Sequence, residues 1–374
     1  MKRTGMRSAS LVLTLVVSLV LVLSACGKSN NNEGAASPSA SSSPSESASA
    51  SPSESASASP SESAAPTVDG KGKKIGMVTD LGGVNDKSFN QQAWEALEKI
   101  SKDTGADVKY LESKKDADYE PNLNNFVKGG YDLTWGIGFL FADAAKKVAD
   151  QNPNAKLAVI DTTVDAPNVE SVTFKEHEGS FLVGVVAGLT TKTNKIGFVG
   201  GMELPVIKKF EAGFKAGVAA VNPDAVVTPN YVGDFSKPDL GKLAAATLYD
   251  AGNDIIFHAA GGSGNGVFTE AKDRFKAGNK VWVIGVDKDQ SIEFGNDITL
   301  TSMMKKVDQA VYTVSQDLLS GKFQGGLANA KELGLAEGGV GLPDNNPNVS
   351  KEILDKVEEF KNKIVSGEIK VPTE

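Results

Sequence analysis

Four charged residues close short apolar runs: Asp80 after KIGMVT, Asp161 after KLAVI, Asp287 after VWVIGV, and Lys305 after LTSMM. In an open α/β sheet the carboxyl ends of strands are where ligands are met, so these side chains would face a cleft. A carboxylate there accepts hydrogen bonds from hydroxyl or ring N–H groups, and charged acceptors bond more strongly than neutral ones. The set suits a polar, neutral ligand. Around Asp80 the stretch KIGMVTDLGGVNDKSFNQQAW adds Ser88, Phe89 and Asn90. Its first half reads as a strand, Gly82-Gly83 as a turn, and Asp86 or Ser88 as the cap of a helix. The same spacing also fits a plain surface loop whose Asp and Asn cap a helix and whose Phe89 belongs to the core. Asp80 and Asp287 would likewise suit the carboxylate pair of a sugar-processing hydrolase.

Other chemistries lack their parts. Gly261-Gly262-Ser263-Gly264-Asn265-Gly266 follows an apolar run, but a dinucleotide fingerprint begun at Gly262 needs a glycine where Val267 stands, and no Gly-Lys-Ser/Thr completes a phosphate loop. Asn265 breaks the Gly-x-Ser-x-Gly elbow around Ser263. The backbone N–H groups of such a loop would still suit an oxygen-rich ligand. The chain has 2 histidines, His177 and His258, and 1 cysteine, with no second ligand at zinc spacing. Both histidines fit structural roles, and His258 at a strand end keeps a route to ligand contact. Asp116 and Asp118 lack the glycine and later Glu of a calcium loop. No metal and no cofactor is expected.

The elements that must position these residues come from alternation. Runs KIGMV, DVKYL, LTWGIG and KLAVID alternate with helical patterns around Phe89 to Ile100, Leu123 to Val127 and Ala144 to Val148. That grammar predicts an α/β fold with parallel sheets and helices on both faces. At Val172-Thr173-Phe174 it restarts, and KIGFVG followed by a helix with Phe210, Phe214 and Val218 repeats the opening. A second lobe therefore continues through VVTPNYV, a helix from Leu240 to Tyr249, DIIFHAA, a helix after Gly266, and VWVIGVD. From Leu300 to Gly321 the chain reads as a strand plus an amphipathic helix.

Ahead of this lie two segments of different character. Lys2, Arg3 and Arg7 precede an apolar run from Leu11 to Leu23 that ends in Leu-Ser-Ala-Cys at Cys26. The run is short for a membrane span and reads as a secretory leader over residues 1–25. Its end resembles the bacterial lipobox, which implies that Cys26 carries lipid. With the lone cysteine at that position, no disulfide joins the rest, whose stability must come from core packing. From Gly27 to about Gly72 there is almost nothing to bury: the octad SPSESASA of Ser43 to Ala50 recurs at Ser51 and, with drift, at Ser59 without a large apolar residue, so residues 26–72 read as lipidated cysteine plus disordered linker rather than a stacked repeat. As a flexible coil it would span about 35 to 40 Å. The formal net charge is -8, and loss of the leader's three positive charges leaves -11, a poor match for nucleic acid.

Taken in order, TDLGGVNDKSFNQQAWEAL, GMELP, FEAGFKAGV, LYDAGNDIIFHAAGGSGNGV, VWVIGVDKDQ and LTSMMKK resemble the basic membrane protein family of bacterial lipoproteins, purine nucleoside receptor A-like. These are nucleoside-binding subunits of ABC importers. The resemblance runs through nearly all of residues 73–374. It implies the type I periplasmic-binding-protein fold, two Rossmann-like lobes with a hinge of three crossovers: residues 73–174 and 301–323 in the first, 175–300 and 324–374 in the second. It further implies that Asp80, Asp287 and Lys305 hold a ribose, with Ser88 and the Gly261-Gly262 backbone nearby. Asn90 and Asp161 would read the base edge, and Phe89 and Phe235 would sandwich the base. Asn85 stands where many relatives carry an acidic residue. The implied protein is a monomer with no catalytic residues, lipid-anchored at the extracytoplasmic face of the bacterial membrane. Its partners would be a nucleoside, a permease and a separate ATPase. A hydrolase, or a surface adhesin or receptor on the same fold, remains the alternative.

Overall fold

Apolar runs of five or six residues followed by amphipathic stretches build two parallel-dominated sheets in the computed structural model, which describes residues 68–374. The leader, Cys26 and most of the linker lie outside the described residues. The last linker positions do not: Gly70 is buried and donates its N–H to the Thr104 carbonyl at 2.8 Å, so the folded body begins before residue 73.

In chain order the first lobe runs β1 (Lys74–Thr79), α1 (Phe89–Thr104), β2 (Asp107–Glu112), α2 (Tyr119–Lys128), β3 (Leu133–Ile137), α3 (Ala142–Gln151), β4 (Leu157–Ile160) and β5 (Val169–Phe174). The chain then enters the second with α4 (Glu176–Thr190), β6 (Lys195–Gly200), α5 (Pro205–Val221), β7 (Val226–Tyr231), α6 (Pro238–Asp250) and β8 (Ile255–Ala259). It continues through α7 (Gly264–Lys276), β9 (Trp282–Asp287), α8 (Ser291–Phe294), β10 (Thr299–Lys305), α9 (Val307–Leu319), β11 (Lys331–Leu333), β12 (Val340–Gly341) and α10 (Lys351–Val365). The sheet orders are β11-β5-β4-β3-β1-β2 and β12-β10-β9-β8-β6-β7, each with a switch point beside its opening strand, β1/β3 and β6/β8. β1 and β6 share one burial pattern, an exposed lysine followed by residues that are all buried, as strands covered on both faces require.

The chain passes between the sheets three times: at Lys175, at Lys306, and from β11 to β12. The passages are tied together, Lys175 N–H to the Leu333 carbonyl at 3.0 Å and Lys306 N–H to the Gly339 carbonyl at 2.8 Å. Two positions differ from the expected boundaries. β10 pairs with β9 along its length, so the return to the first lobe follows Lys305 rather than residue 301. β11 pairs with β5, so that visit lasts to Leu333 rather than 323.

Between the second and third passages, α9 buries Val307, Ala310, Val311, Val314 and Leu318, and Trp135 of β3 donates its indole N–H to Ser315 at 3.3 Å. α4 and α5 approach so closely that a Cβ on Gly213 or Gly217 would strike the backbone of His177 or Phe181. Phe360 of α10 packs on Phe181, ring centroids 5.4 Å apart. No described helix is long and apolar enough to cross a membrane.

Candidate functional site

The loops leaving the carboxyl ends of β1, β3, β6 and β8, on either side of both switch points, converge on one cavity. Both lobes supply its walls. Asp80, Phe89, Asn90, Asp161, Phe235, Gly261, Asp287 and Lys305, all expected from the sequence, line it. Ser88 and Gly262 do not: Ser88 is fully buried with its hydroxyl donated to the Asp287 carboxylate, and Gly262 is buried behind Gly261, near Asp86 and the Phe235 carbonyl.

Asp161 and Asp287 occupy matching places, the ends of β4 and β9, and both take left-handed backbone, at φ 69° and 66°. Asp tolerates that conformation better than most residues, yet it remains uncommon outside glycine, and such positions gather at functional sites. Lys305, at the end of β10, is almost fully buried. Its ammonium lies 2.7 Å from Asp161 and 3.1 Å from Glu176. Its ion-pair partners are thus Asp161, from the first lobe, and Glu176, with Asp287 acting on it from farther away. Burial alone would push the Lys305 ammonium down, but Asp161, Glu176 and Asp287 together hold it above the usual lysine range. Three aromatic rings surround it, Phe89, Phe174 and Phe210, with centroids 5.1, 5.0 and 5.6 Å from the nitrogen.

On the other side, Asn90 Nδ2 donates to Asp80 at 2.8 Å and to Asp86 at 3.0 Å. The cap of α1 is Asp86, not Ser88: its carboxylate accepts the backbone N–H groups of Ser88, Asn90 and Gln91 at 2.9, 2.9 and 3.1 Å. That arrangement fixes Phe89 and Asn90 toward the cavity. The side-chain oxygens Asn90 Oδ1 and Asp161 Oδ1 are buried without a hydrogen-bond partner among the described residues, which is costly unless a ligand supplies one. Phe139, Leu204, Ile207 and Phe210 form an apolar wall that reading strand ends for polar groups overlooks. Phe139 follows β3, whereas Leu204, Ile207 and Phe210 follow β6, and the apolar type of all four reads equally well as core.

His258 is fully buried, with Nε2 2.8 Å from Gln290 Oε1, and is absent from the lining. His177 lies on α4, also away from the cavity. Among the described residues no cluster of His, Cys, Asp and Glu is placed to hold a metal.

Burial pushes Asp80 up to about 7 against hydrogen bonds from Asn90 and Gly82, and Asp287 up to about 7 against the pull of Lys305 and Ser88. Burial pushes His258 down to about 4. A carboxyl raised in the fold contributes stability that is full below its unfolded value of 3.8 and is lost as pH rises through about 7. The imidazole works oppositely: its contribution is full above 6.5 and is lost as pH falls through about 4. The carboxyls outnumber it, so ligand-free protein should lose stability from pH 5 to pH 7.5, by about 1.4 kcal/mol per pH unit for each net proton. Urea unfolding at both pH values checks this, and equal or greater stability at pH 7.5 would contradict it.

The family model for Bmp, described as ABC transporter substrate-binding protein PnrA-like, matches residues 73–374. The CD4+ T-cell-stimulating antigen of Listeria innocua is 44% identical over 382 residues, covering 98% of this chain and 98% of the relative. The ABC transporter nucleoside-binding protein BmpA of Lactococcus lactis is 41% identical over 316 residues, covering 80% of this chain and 89% of that one. Among solved structures, an ABC transporter system solute-binding protein from Aeropyrum pernix K1 is similar at TM-score 0.75 and 31% identity, covering 81% of this chain and 94% of its own.

Proposed function

This chain belongs to the Bmp family of PnrA-like ABC transporter substrate-binding proteins, and on that premise we propose that it captures nucleosides, purine nucleosides first, between its lobes. The observation that carries the reading is the division of the cavity. Asp80, Asn90, Asp161, Asp287 and Lys305 supply hydrogen-bonding groups, while Phe89 and Phe235 supply aromatic faces. A nucleoside has the same division, a hydroxylated sugar and a flat base. Asp80, Asp287 and Lys305 take the ribose, Asn90 and Asp161 read the base edge, and Phe89 and Phe235 stack on its faces. Lys305 bonds Asp161 directly, so the groups reading the two ends of the ligand share one network. The name of the Lactococcus lactis relative supports the ligand class.

In this reading the lobes close about the three passages, and the closed monomer, anchored through lipid on Cys26 at the extracytoplasmic face, delivers its ligand to a permease driven by a separate ATPase. It carries out no reaction of its own. Incubating the protein with inosine or guanosine, then recovering the ligand chromatographically, tests this. Stoichiometric binding with the nucleoside returned intact is expected. No binding at saturating concentration would overturn the reading, and release of free base would replace it with a hydrolase using Asp80 and Asp287.

A further inference from the structure

The turn between β1 and α1 does more than carry cavity residues. Lys87 takes left-handed backbone, φ 59°, an unfavourable conformation for a lysine. The Asp86 carboxylate, capping α1, holds the turn in place. As a result two successive backbone carbonyls, of Asp86 and Lys87, are presented to the second lobe. Asn265, in the first turn of α7, donates its amide to the Asp86 carbonyl at 3.2 Å, and Gln290 donates its amide to the Lys87 carbonyl at 3.0 Å. The Lys87 ammonium adds a looser contact, 3.8 Å from Glu293.

Gln290 is built for this contact. It is fully buried, and its Oε1 accepts from the Val286 N–H at 2.9 Å and faces His258 Nε2 at 2.8 Å. Its own backbone N–H is bound to Ser302 at 3.1 Å. Every anchor lies in the second lobe, and the remaining amide donor points at the first. Neither Asn265 nor Gln290 lines the cavity.

We propose that Asp86-Lys87-Ser88 is a closing latch, and that Asn265 and Gln290 are positioning residues that set how firmly the lobes hold shut without touching the ligand. The inference rests on the nucleoside-capture reading. Contacts made only when the lobes meet favour the closed form whatever lies inside, so they scale every ligand's affinity by one factor and act chiefly on release. His258 serves the latch by orienting the Gln290 amide.

The test uses the full chain with Asn265→Ala, Gln290→Glu, and both together. Gln290→Glu keeps an acceptor for Val286 and His258 and sets a buried carboxylate oxygen against the Lys87 carbonyl in place of the donor. Calorimetry and release kinetics with inosine, guanosine and adenosine should show each single variant weakening all three by the same factor, about 3- to 30-fold, mainly through faster release. Unchanged affinity in the double variant, or a loss that differs strongly between nucleosides, would overturn the latch. If the wild type binds none of the three, the nucleoside reading falls and scattering from the ligand-free chains decides the latch alone. A double variant more expanded than wild type then supports it, and equal dimensions overturn it.

Discussion

Lys305→Met should cost about 3 to 5 kcal/mol of folding stability, the usual penalty for stripping the partner from buried charge. The side chain is 2% exposed, and Asp161 and Glu176, its ion-pair partners, are 8% and 1% exposed. With the ammonium gone, Asp161 and Asp287 line the cavity with no other cation among its described lining, and Glu176 keeps only Lys209, 3.5 Å away. The sign of the pH dependence distinguishes lost charge from lost packing. Uncompensated carboxyls take up protons, which relieves their repulsion, so the loss should be smaller at pH 5 than at pH 8. Adding Glu176→Gln should recover part of it, since neighbours in one network are not additive. Urea unfolding of the wild type and both variants at the two pH values makes the comparison. A loss under 1 kcal/mol, or one equal at both pH values, would mean that Lys305 is held by its aromatic surroundings rather than by the carboxylates.

Phe89→Ala and Phe235→Ala should each weaken nucleoside binding by about 1 to 3 kcal/mol, roughly 5- to 150-fold, with little preference among bases, because stacking depends on a flat face and not on its edge. The two should part on stability. Phe89 lies 5.1 Å from the Lys305 ammonium, so its removal also deletes a buried cation–π contact. Phe235 packs instead against the glycine turns at Gly201 and Gly261. Its loss should show in affinity and scarcely in unfolding. Equal affinity for wild type and both variants would remove the stacking role.

How far the site was legible follows from what each rule requires. Asp80, Asp161, Asp287 and Lys305 were readable because locating a strand's end is enough to place them, and the polar residue there is conspicuous. Phe139, Leu204, Ile207 and Phe210 were not, since an apolar side chain in a cavity wall has the same periodicity as one in the core. Nor could spacing reveal that Asp161 and Asp287 take left-handed backbone, or that Lys305 pairs with Asp161. α4 went unread because it is buried on nearly every side, from Gly179 through Gly188, and so lacks the polar face that marks a helix. The places where the chain crosses between lobes depend on the register of β10 against β9 and of β11 against β5, long-range pairings that no local pattern encodes.

A nucleoside held by both lobes at once makes binding and closure one event. Both walls of the cavity are needed to make the proposed contacts, and a ligand that prefers the closed form must shift the population toward it. Small-angle scattering of the full chain, with and without saturating inosine, reads this directly. A smaller radius of gyration with inosine is expected in the wild type, and a weaker response in Phe235→Ala at the same ligand concentration. A wild type that binds inosine and keeps the same scattering curve would contradict this.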